Sequence, residues 1–417
     1  MKYSDVFVPG GFPHHTYNPR VERNLEARID EVSDNLCKLV TVTGHTKSGK
    51  TVLVRSKFPR SEAIWVDGGS VSYEEDFWSI IIEQLNLFQS HSEEEILEDT
   101  VENGIEGGGG LNGLVAKAEA KVSLREIEKN SETKSKTRNA TSRTTALRGL
   151  SESKIPLIVD DFHYIPRELQ GSLVRALKAL IFDGLPVVLI AIPHRRYDAL
   201  KVEKEMTGRL HPVEIPLWGT EELLFIPKTG FPLLACKVPS TVENTFATEA
   251  IGSPHLIQDF CRTLCRKYGI RTEDDGTNIV PTPADLREIY SDVAETIGRP
   301  IFEKLARGPR QRTDRILRSL KDGTELDIYG LVLRALAHLK PGLVTIEYEE
   351  LRSAIREISD DVPQLHEVAR VLRHMATIAA SDESSTPVID FEEEEKILHI
   401  TDPFFAFFLR WGDLSTQ

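Results

Sequence analysis

The chain has 417 residues, 40% hydrophobic and 28% charged, which describes a folded protein too long for one ordinary core, so two or three domains are expected. A formal net charge of −14 excludes a protein that coats nucleic acid with its whole surface and leaves only local basic patches for such contacts. Met1-Lys2-Tyr3-Ser4-Asp5 does not open a charged segment followed by an apolar one, and no apolar run approaches a membrane span, so a cytoplasmic protein without membrane contact is expected.

The segment Phe7-Val8-Pro9-Gly10-Gly11-Phe12-Pro13-His14-His15-Thr16-Tyr17 is turn-rich and aromatic. It has two readings, an arm packed on the core or a wrap around the base of a nucleotide. A helical pattern follows from Val21 to Val32. Lys38-Leu39-Val40-Thr41-Val42-Thr43 then reads as a short buried strand and leads into Gly44-His45-Thr46-Lys47-Ser48-Gly49-Lys50-Thr51, with Val52-Leu53-Val54 continuing as a helix. That stretch fits the G-x-x-x-x-G-K-[ST] phosphate loop at every fixed position, in the strand, loop, helix context the motif requires. Backbone N–H groups of such a loop and the first turn of its helix have no other partner and face the phosphates. Gly44 to Val52 are therefore the candidate nucleotide-binding residues, with Lys50 reaching the β and γ phosphates and the Thr51 hydroxyl on Mg²⁺.

Ala63-Ile64-Trp65-Val66 reads as a second strand, and a helix is predicted from Glu74 to about Phe88 with Phe77, Ile80, Ile81, Leu85 and Phe88 on its apolar stripe. From Ser90 to Ser153 the composition shifts. Gly107-Gly108-Gly109-Gly110 precedes a strand-like alternation over Leu114 to Val122, and Ser/Thr-rich sequence follows. Lys117 to Arg148 holds nine Lys/Arg against four Glu, an excess of five positive charges. An extended arm contacting nucleic acid or a neighbouring subunit is one reading; a solvated insertion without aromatic residues for base stacking is the plainer one.

Pro156-Leu157-Ile158-Val159-Asp160-Asp161-Phe162-His163 is an apolar strand ending in two carboxylates. Beside a phosphate loop, such a strand places one acid on Mg²⁺ and the next by the attacking water, here Asp160 and Asp161. After a helix from Arg167 to Phe182, Pro186 to Ile192 is another buried strand, ending in Pro193-His194-Arg195-Arg196. Ligands of open α/β sheets sit outside the carboxyl ends of strands, so His194 or Arg195 is a candidate sensor of the γ-phosphate; a basic loop paired with Asp198 or Glu203 is the alternative.

Glu205-Met206-Thr207-Gly208-Arg209-Leu210 leads into a strand ending in Pro216-Leu217-Trp218, and Glu221-Glu222-Leu223 opens a helix. With Gly44 to Thr51, Asp160 and Asp161, this pattern resembles the AAA+ ATPases over residues 5 to 270, most of all the initiator-like branch that includes origin-licensing and transposition-regulating ATPases. The resemblance implies an α/β three-layer P-loop fold with strand order 5-1-4-3-2, a helical lid, and nucleotide at the interfaces of a homo-oligomer, where Arg209 would act as an arginine finger in a neighbouring subunit. An intramolecular salt bridge is the other reading of Arg209. Ala247 to Ile257 fits the last lid helix, but His255 stands where AAA+ proteins usually carry arginine. Gly252-Ser253-Pro254 is instead similar to a signature of STAND signalling ATPases, and Asp161 is one methylene shorter than the usual glutamate.

Cys261 and Cys265 read as buried apolar residues of that helix rather than a metal or redox pair. A polar stretch from Arg271 to Pro283 reads as a linker. Beyond it, three helices near Asp327 to Leu339, Glu347 to Ile358 and Leu365 to Ala379 precede two strands, Val388 to Phe391 and Lys396 to Ile400, in the order of a winged helix. Residues 301 to 417 hold 15 Lys/Arg against 21 Asp/Glu, and the candidate wing carries Glu392-Glu393-Glu394-Glu395, while Arg370, Arg373 and His374 on the third helix supply only a small positive face. A regulatory or subunit-contacting module is thus expected before a DNA reader, and the aromatic run Phe404 to Trp411 is expected in the core. The division expected is a P-loop core over 1–220 with the insertion at about 90–153, a lid over 221–300 and a winged helix over 301–417. Three functions fit: an ATP- and Mg²⁺-dependent self-assembling ATPase, a nucleotide-switched signalling module with little turnover, or a DNA-associated initiator or transposition-type regulator.

Overall fold

Five strands come together in one parallel sheet: β1 (Leu39–Gly44), β2 (Ile64–Asp67), β3 (Leu157–Asp160), β4 (Val187–Ala191) and the more polar edge strand β5 (Leu210–Ile215). The computed structural model describes residues 1–34, 37–87, 90–96, 133–139, 141–192, 206, 208–309, 315–381 and 387–415. The strands lie in the order β2-β3-β4-β1-β5, the order that the AAA+ resemblance implies. β1 and β4 are buried at every residue because both faces of the sheet are covered. Successive side chains alternate between those faces, so Leu157 and Val159 join one core cluster and Ile158 the other.

One face is covered by α2 (Glu74–Gln84), α3 (Ser142–Ser153) and α4 (Arg167–Phe182), through Phe77, Ile81, Leu150, Leu173 and Leu177. The other is covered by α1 (Lys50–Lys57) and the short helix Leu25–Asp30. The single helix expected from Val21 to Val32 is instead broken, because Asn24 takes a left-handed conformation between a 3-10 turn at Val21–Arg23 and that short helix. α2 likewise stops before the expected Phe88; Asn86 turns the chain with a φ of 52°, and Phe88 lies outside the described residues.

The insertion is narrower than its composition suggested. Ser90–Ile96 and Thr133–Asn139 pair as an antiparallel ribbon from Ser90↔Asn139 to Ile96↔Thr133, and the strand expected over 114–122 lies outside the described residues. By residue 142 the chain has rejoined the core as α3, started by Thr141, whose hydroxyl accepts from the Thr144 N–H. Ser/Thr-rich composition disguised this helix; small residues here permit close packing, with Ala146 and Leu150 fully buried.

Three helices follow where the resemblance implies a lid, and together they are called the lid: α5 (Thr220–Leu233), α6 (Ser240–Glu249) and α7 (Pro254–Lys267). Cys261 and Cys265 are buried in it, and burial holds both thiols protonated, pushing that of Cys265 up to about 12. The N-terminal arm docks on this lid. Phe7 lies 5.0 Å from Phe231 between ring centroids, and Gln258 binds the arm twice, accepting from Val8 N–H and donating to the Thr16 hydroxyl. The stretch read as a linker is pinned to the body by bridges from Thr272 to Lys2 and from Asn278 to Lys237.

α8 (Pro283–Arg307) runs straight through residue 300, where the sequence suggested a boundary. Tyr290 of this helix packs with Phe260 of the lid and with Phe407 of the last helix, so lid and C-terminal elements share one core. Beyond α8 come α9 (Ile328–His338), β6 (Thr345–Glu347), α10 (Tyr348–Ile358), α11 (Leu365–Ala380), β7 (Ile389–Glu392), β8 (Ile397–Ile400) and α12 (Pro403–Trp411). The three strands form an antiparallel sheet ordered β6-β8-β7. Two of the three residues read as a positive face on α11 have partners: Arg373 pairs with Glu393, and His374 Nδ1 shares a 2.7 Å hydrogen bond with the Tyr329 hydroxyl. No helix among the described residues is long and apolar enough to cross a membrane.

Because Phe7 is fully buried against the lid, Phe7→Ala is expected to destabilise the protein by about 3–5 kcal/mol, read as a lower unfolding midpoint in denaturant.

Candidate nucleotide site

The phosphate loop leaves the carboxyl end of β1, where it opens into a cavity of about 370 Å³ lined by residues 46 to 53 of the loop and α1, the arm, Asp161, Trp218 and His255. Sequence predicts this placement, since every residue of β1 is held in the sheet and the chain must reverse at Gly44. A side chain at Gly44 would stand 2.6 Å from the Ile215 carbonyl oxygen, so only glycine lets the loop start this close to β5. The loop closes on itself through Lys50, whose Nζ donates to the carbonyl oxygens of Gly44 at 2.9 Å and His45 at 2.8 Å.

Lys50 is 8% exposed, and burial lowers its pKa to about 8 against the attraction of Asp161 and then Asp160. The Thr51 hydroxyl donates to Asp160 Oδ1 at 3.1 Å, which brings the two expected metal-holding groups of β3 and α1 into contact. Burial, reinforced by neighbouring Asp161, raises Asp160 to about 6, with the Thr51 hydroxyl opposing. Asp161 is raised by burial and lowered by Lys50, and its φ of 48° places it in the left-handed region where a non-glycine residue is strained. Two half-buried acids side by side call for a cation, and a buried ammonium beside N–H donors calls for an anion. Among the described residues, Thr43 Oγ1 and Ser48 Oγ are buried without a hydrogen-bond partner, as expected of polar groups that a bound ligand satisfies. The residues present therefore fit a nucleotide phosphate with Mg²⁺.

No family model matches the chain and no curated protein matches it. The structure is similar to that of the Walker-type ATPase PABY2304 of Pyrococcus abyssi, with a TM-score of 0.50 and 16% identity over 94% of this chain and 95% of that one. The fold is that of a Walker-type ATPase. Cdc6p of Pyrobaculum aerophilum (TM-score 0.43, 13% identity, 97% and 96% covered) and the ORC1 protein of Aeropyrum pernix, solved in complex with DNA (0.46, 14%, 98% and 96%), are also similar.

Around this Walker-type loop, most sequence-predicted residues converge. Thr46 to Val52 line the cavity, Gly44 and His45 receive Lys50, and His255 faces the same space from α7. Arg209 does not join them. It precedes β5 at the opposite end of the sheet, paired where Leu39 faces Leu210, whereas the loop leaves where Gly44 faces Ile215. Six strand residues span about 20 Å, so Arg209 cannot serve its own subunit's loop. It stacks on Phe182 at 5.1 Å and has no ion pair among the described residues. His194 and Arg195 lie outside the described residues.

The C-terminal elements reach the site through a contact that sequence reasoning missed. Phe404 of α12 stands between the Lys47 ammonium, 5.4 Å from its ring centroid, and the His255 ring at 4.9 Å. Asp402, half-buried at the start of α12, accepts from the N–H groups of Phe404 and Phe405, and burial raises its carboxyl pKa, with those N–H groups and nearby Lys47 opposing. His255 also lies 3.3 Å from Asp259 one turn on. Only proximity in space links these residues, and no motif could have shown it. The arm supplies the other wall, where Phe12 and Tyr17 stack at 5.9 Å and Arg55 of α1 lies 5.8 Å from the Phe12 ring.

Asp160 carries a folded-state pKa above its unfolded value, so the folded chain binds more protons between about pH 4 and 6 and loses stability as pH rises through that window. Asp160→Asn removes this penalty while keeping an acceptor for Thr51. Without Mg²⁺, the variant is expected to be more stable than the parent by about 1–3 kcal/mol above pH 6 and equal to it below pH 4, measured by thermal unfolding across pH.

Proposed function

We propose that this chain binds ATP with Mg²⁺, hydrolyses it, and couples nucleotide state to assembly with its own copies. The observation that carries this reading is the meeting of Lys50, Thr51, Asp160 and Asp161 at one cavity on the carboxyl side of a parallel sheet. The N–H groups of the loop and of the first turn of α1 bind phosphate oxygens, and Lys50 exchanges its two carbonyl partners for them. Thr51 and Asp160 hold Mg²⁺, which, when bound, neutralises charge on the phosphates. Asp161 orients water and accepts its proton; burial has already raised its pKa toward that task. The stacked Phe12 and Tyr17 with Arg55 offer the base an aromatic wall.

Beyond its own subunit, Arg209 acts as the finger that stabilises the phosphoryl charge in a neighbouring copy, and His194 or Arg195 senses the γ-phosphate. The elements from α9 to α12 act as a winged-helix module that contacts protein rather than DNA, since Arg373 is already paired with Glu393. Lys50→Ala is expected to abolish binding of a fluorescent ATP analogue, while Asp161→Asn binds it normally and loses steady-state hydrolysis at least tenfold, on the order expected for a general base. Hydrolysis by Asp161→Asn at the parent rate removes Asp161 from this role. For Arg209, a mixture of Arg209→Ala and Lys50→Ala chains is expected to regain part of the activity each lacks, because the finger and the loop of one site come from different copies.

A second reading, a nucleotide-held switch with little turnover, is favoured by Phe404. Its contacts with Lys47 and His255 join the C-terminal elements to the loop and lid at once. Phe404→Ala is then expected to speed release of labelled ADP about three- to tenfold, as loss of a cation–π and an aromatic contact implies. Unchanged release rates count against the switch.

A further inference from the structure

The orientation of one peptide unit decides whether the loop attracts or repels an anion, and a side chain outside the loop fixes it. Trp218, at the end of the segment leading from β5 to the lid, donates its Nε1–H to the carbonyl oxygen of Ser48 at 2.8 Å. The Ser48–Gly49 peptide is trans, as are all described peptides, so its carbonyl and its N–H point in opposite directions. Drawing the Ser48 carbonyl toward Trp218 therefore aims the Gly49 N–H the other way, beside the first unpaired donors of α1. Gly49, with a φ of 88°, needs this help. Glycine tolerates both signs of φ, so the unit could flip at little cost and turn a carbonyl oxygen toward the phosphates.

The indole is itself immobilised. The Arg20 guanidinium lies 4.8 Å from its ring centroid. Arg20 is 5% exposed and donates to the carbonyl oxygens of Pro216 and Leu217 and, through two nitrogens, to the Glu222 carboxylate. Glu222 in turn accepts from the Gly219 N–H at the start of α5. The remaining loop groups are tied locally, with the Ser48 N–H donating to His45 O and the Gly49 carbonyl accepting from Leu53 N–H. Trp218 is thus the one side chain among the described residues whose hydrogen bond sets this unit.

We propose that Trp218 is a positioning residue that selects the anion-binding orientation of the Ser48–Gly49 peptide, with Arg20 and Glu222 as its support. The proposal rests on the nucleotide reading above. Trp218→Phe keeps an aromatic ring against Arg20 and removes the donor together with the second ring of the indole. In the full-length chain it is expected to weaken binding of fluorescent ADP and to raise KM for Mg·ATP about three- to tenfold, the usual range for one hydrogen bond, with kcat at saturation within about twofold of the parent. In the parent, the Trp218 indole N–H resonance, assigned by its absence from the variant or by elimination through Trp65→Phe, Trp78→Phe and Trp411→Phe, is expected to exchange slowly with solvent and to move when Mg·ADP is added. If the parent binds ADP, Lys50→Ala does not, and Trp218→Phe matches the parent, the positioning role is overturned and the nucleotide reading stands. If the parent binds no nucleotide, both fall. Should Trp218→Phe fail to fold, the parent's indole signal decides alone: exchange as fast as that of a free indole overturns the proposal.

Discussion

Lys50 is held among backbone carbonyls and opposite two carboxylates, at a place where its ammonium is largely removed from water. Burial works against its charge, and it works also against the charges of Asp160 and Asp161. A phosphate anion relieves the first strain and a divalent cation the second. The rest of the cavity follows from this pair of unmet demands: the loop must expose N–H donors, the strand end must keep its acids close, and the lid must exclude water without filling the space.

The support for that site is distributed over elements far apart in the chain. The sheet is a rigid platform because both its faces are packed, so the ends of β1 and β3 are fixed relative to each other. The arm binds the lid through Phe7 and Gln258, the segment between β5 and the lid binds the loop through Trp218, and α12 touches loop and lid through Phe404. Lid and C-terminal elements share one core along α8, so Phe404, which touches the loop, and the sheet that carries the acidic β7–β8 turn belong to one packed body.

Much of the platform was legible in the residues. Aliphatic runs marked four of the five strands, and the glycine and lysine spacing marked the loop, because these patterns answer to local geometry and to burial on both faces; the edge strand β5, Leu210-His211-Pro212-Val213-Glu214-Ile215, carries no such run. Elements governed by single backbone conformations were less legible: Asn24 and Asn86 break or end helices that the apolar stripe alone would extend. α3 was hidden for a related reason, since its Ser/Thr-rich composition resembles a solvated insertion and only its packing on α2 and α4 shows Ala146 and Leu150 to be core.

The sequence by itself determined that a phosphate-binding loop would stand at the end of a buried strand with two acids nearby, since those features depend on residue types at short spacing. Tertiary structure decided the rest. It set Arg209 at the far end of the sheet from its own loop, placed His255 in the cavity, and brought Phe404 onto Lys47. It also turned Trp218, legible beforehand only as the end of a Pro-Leu-Trp run, into a partner of the Ser48 carbonyl. Contacts between residues hundreds of positions apart are fixed by how packed layers meet, and no local spacing in the chain encodes that meeting.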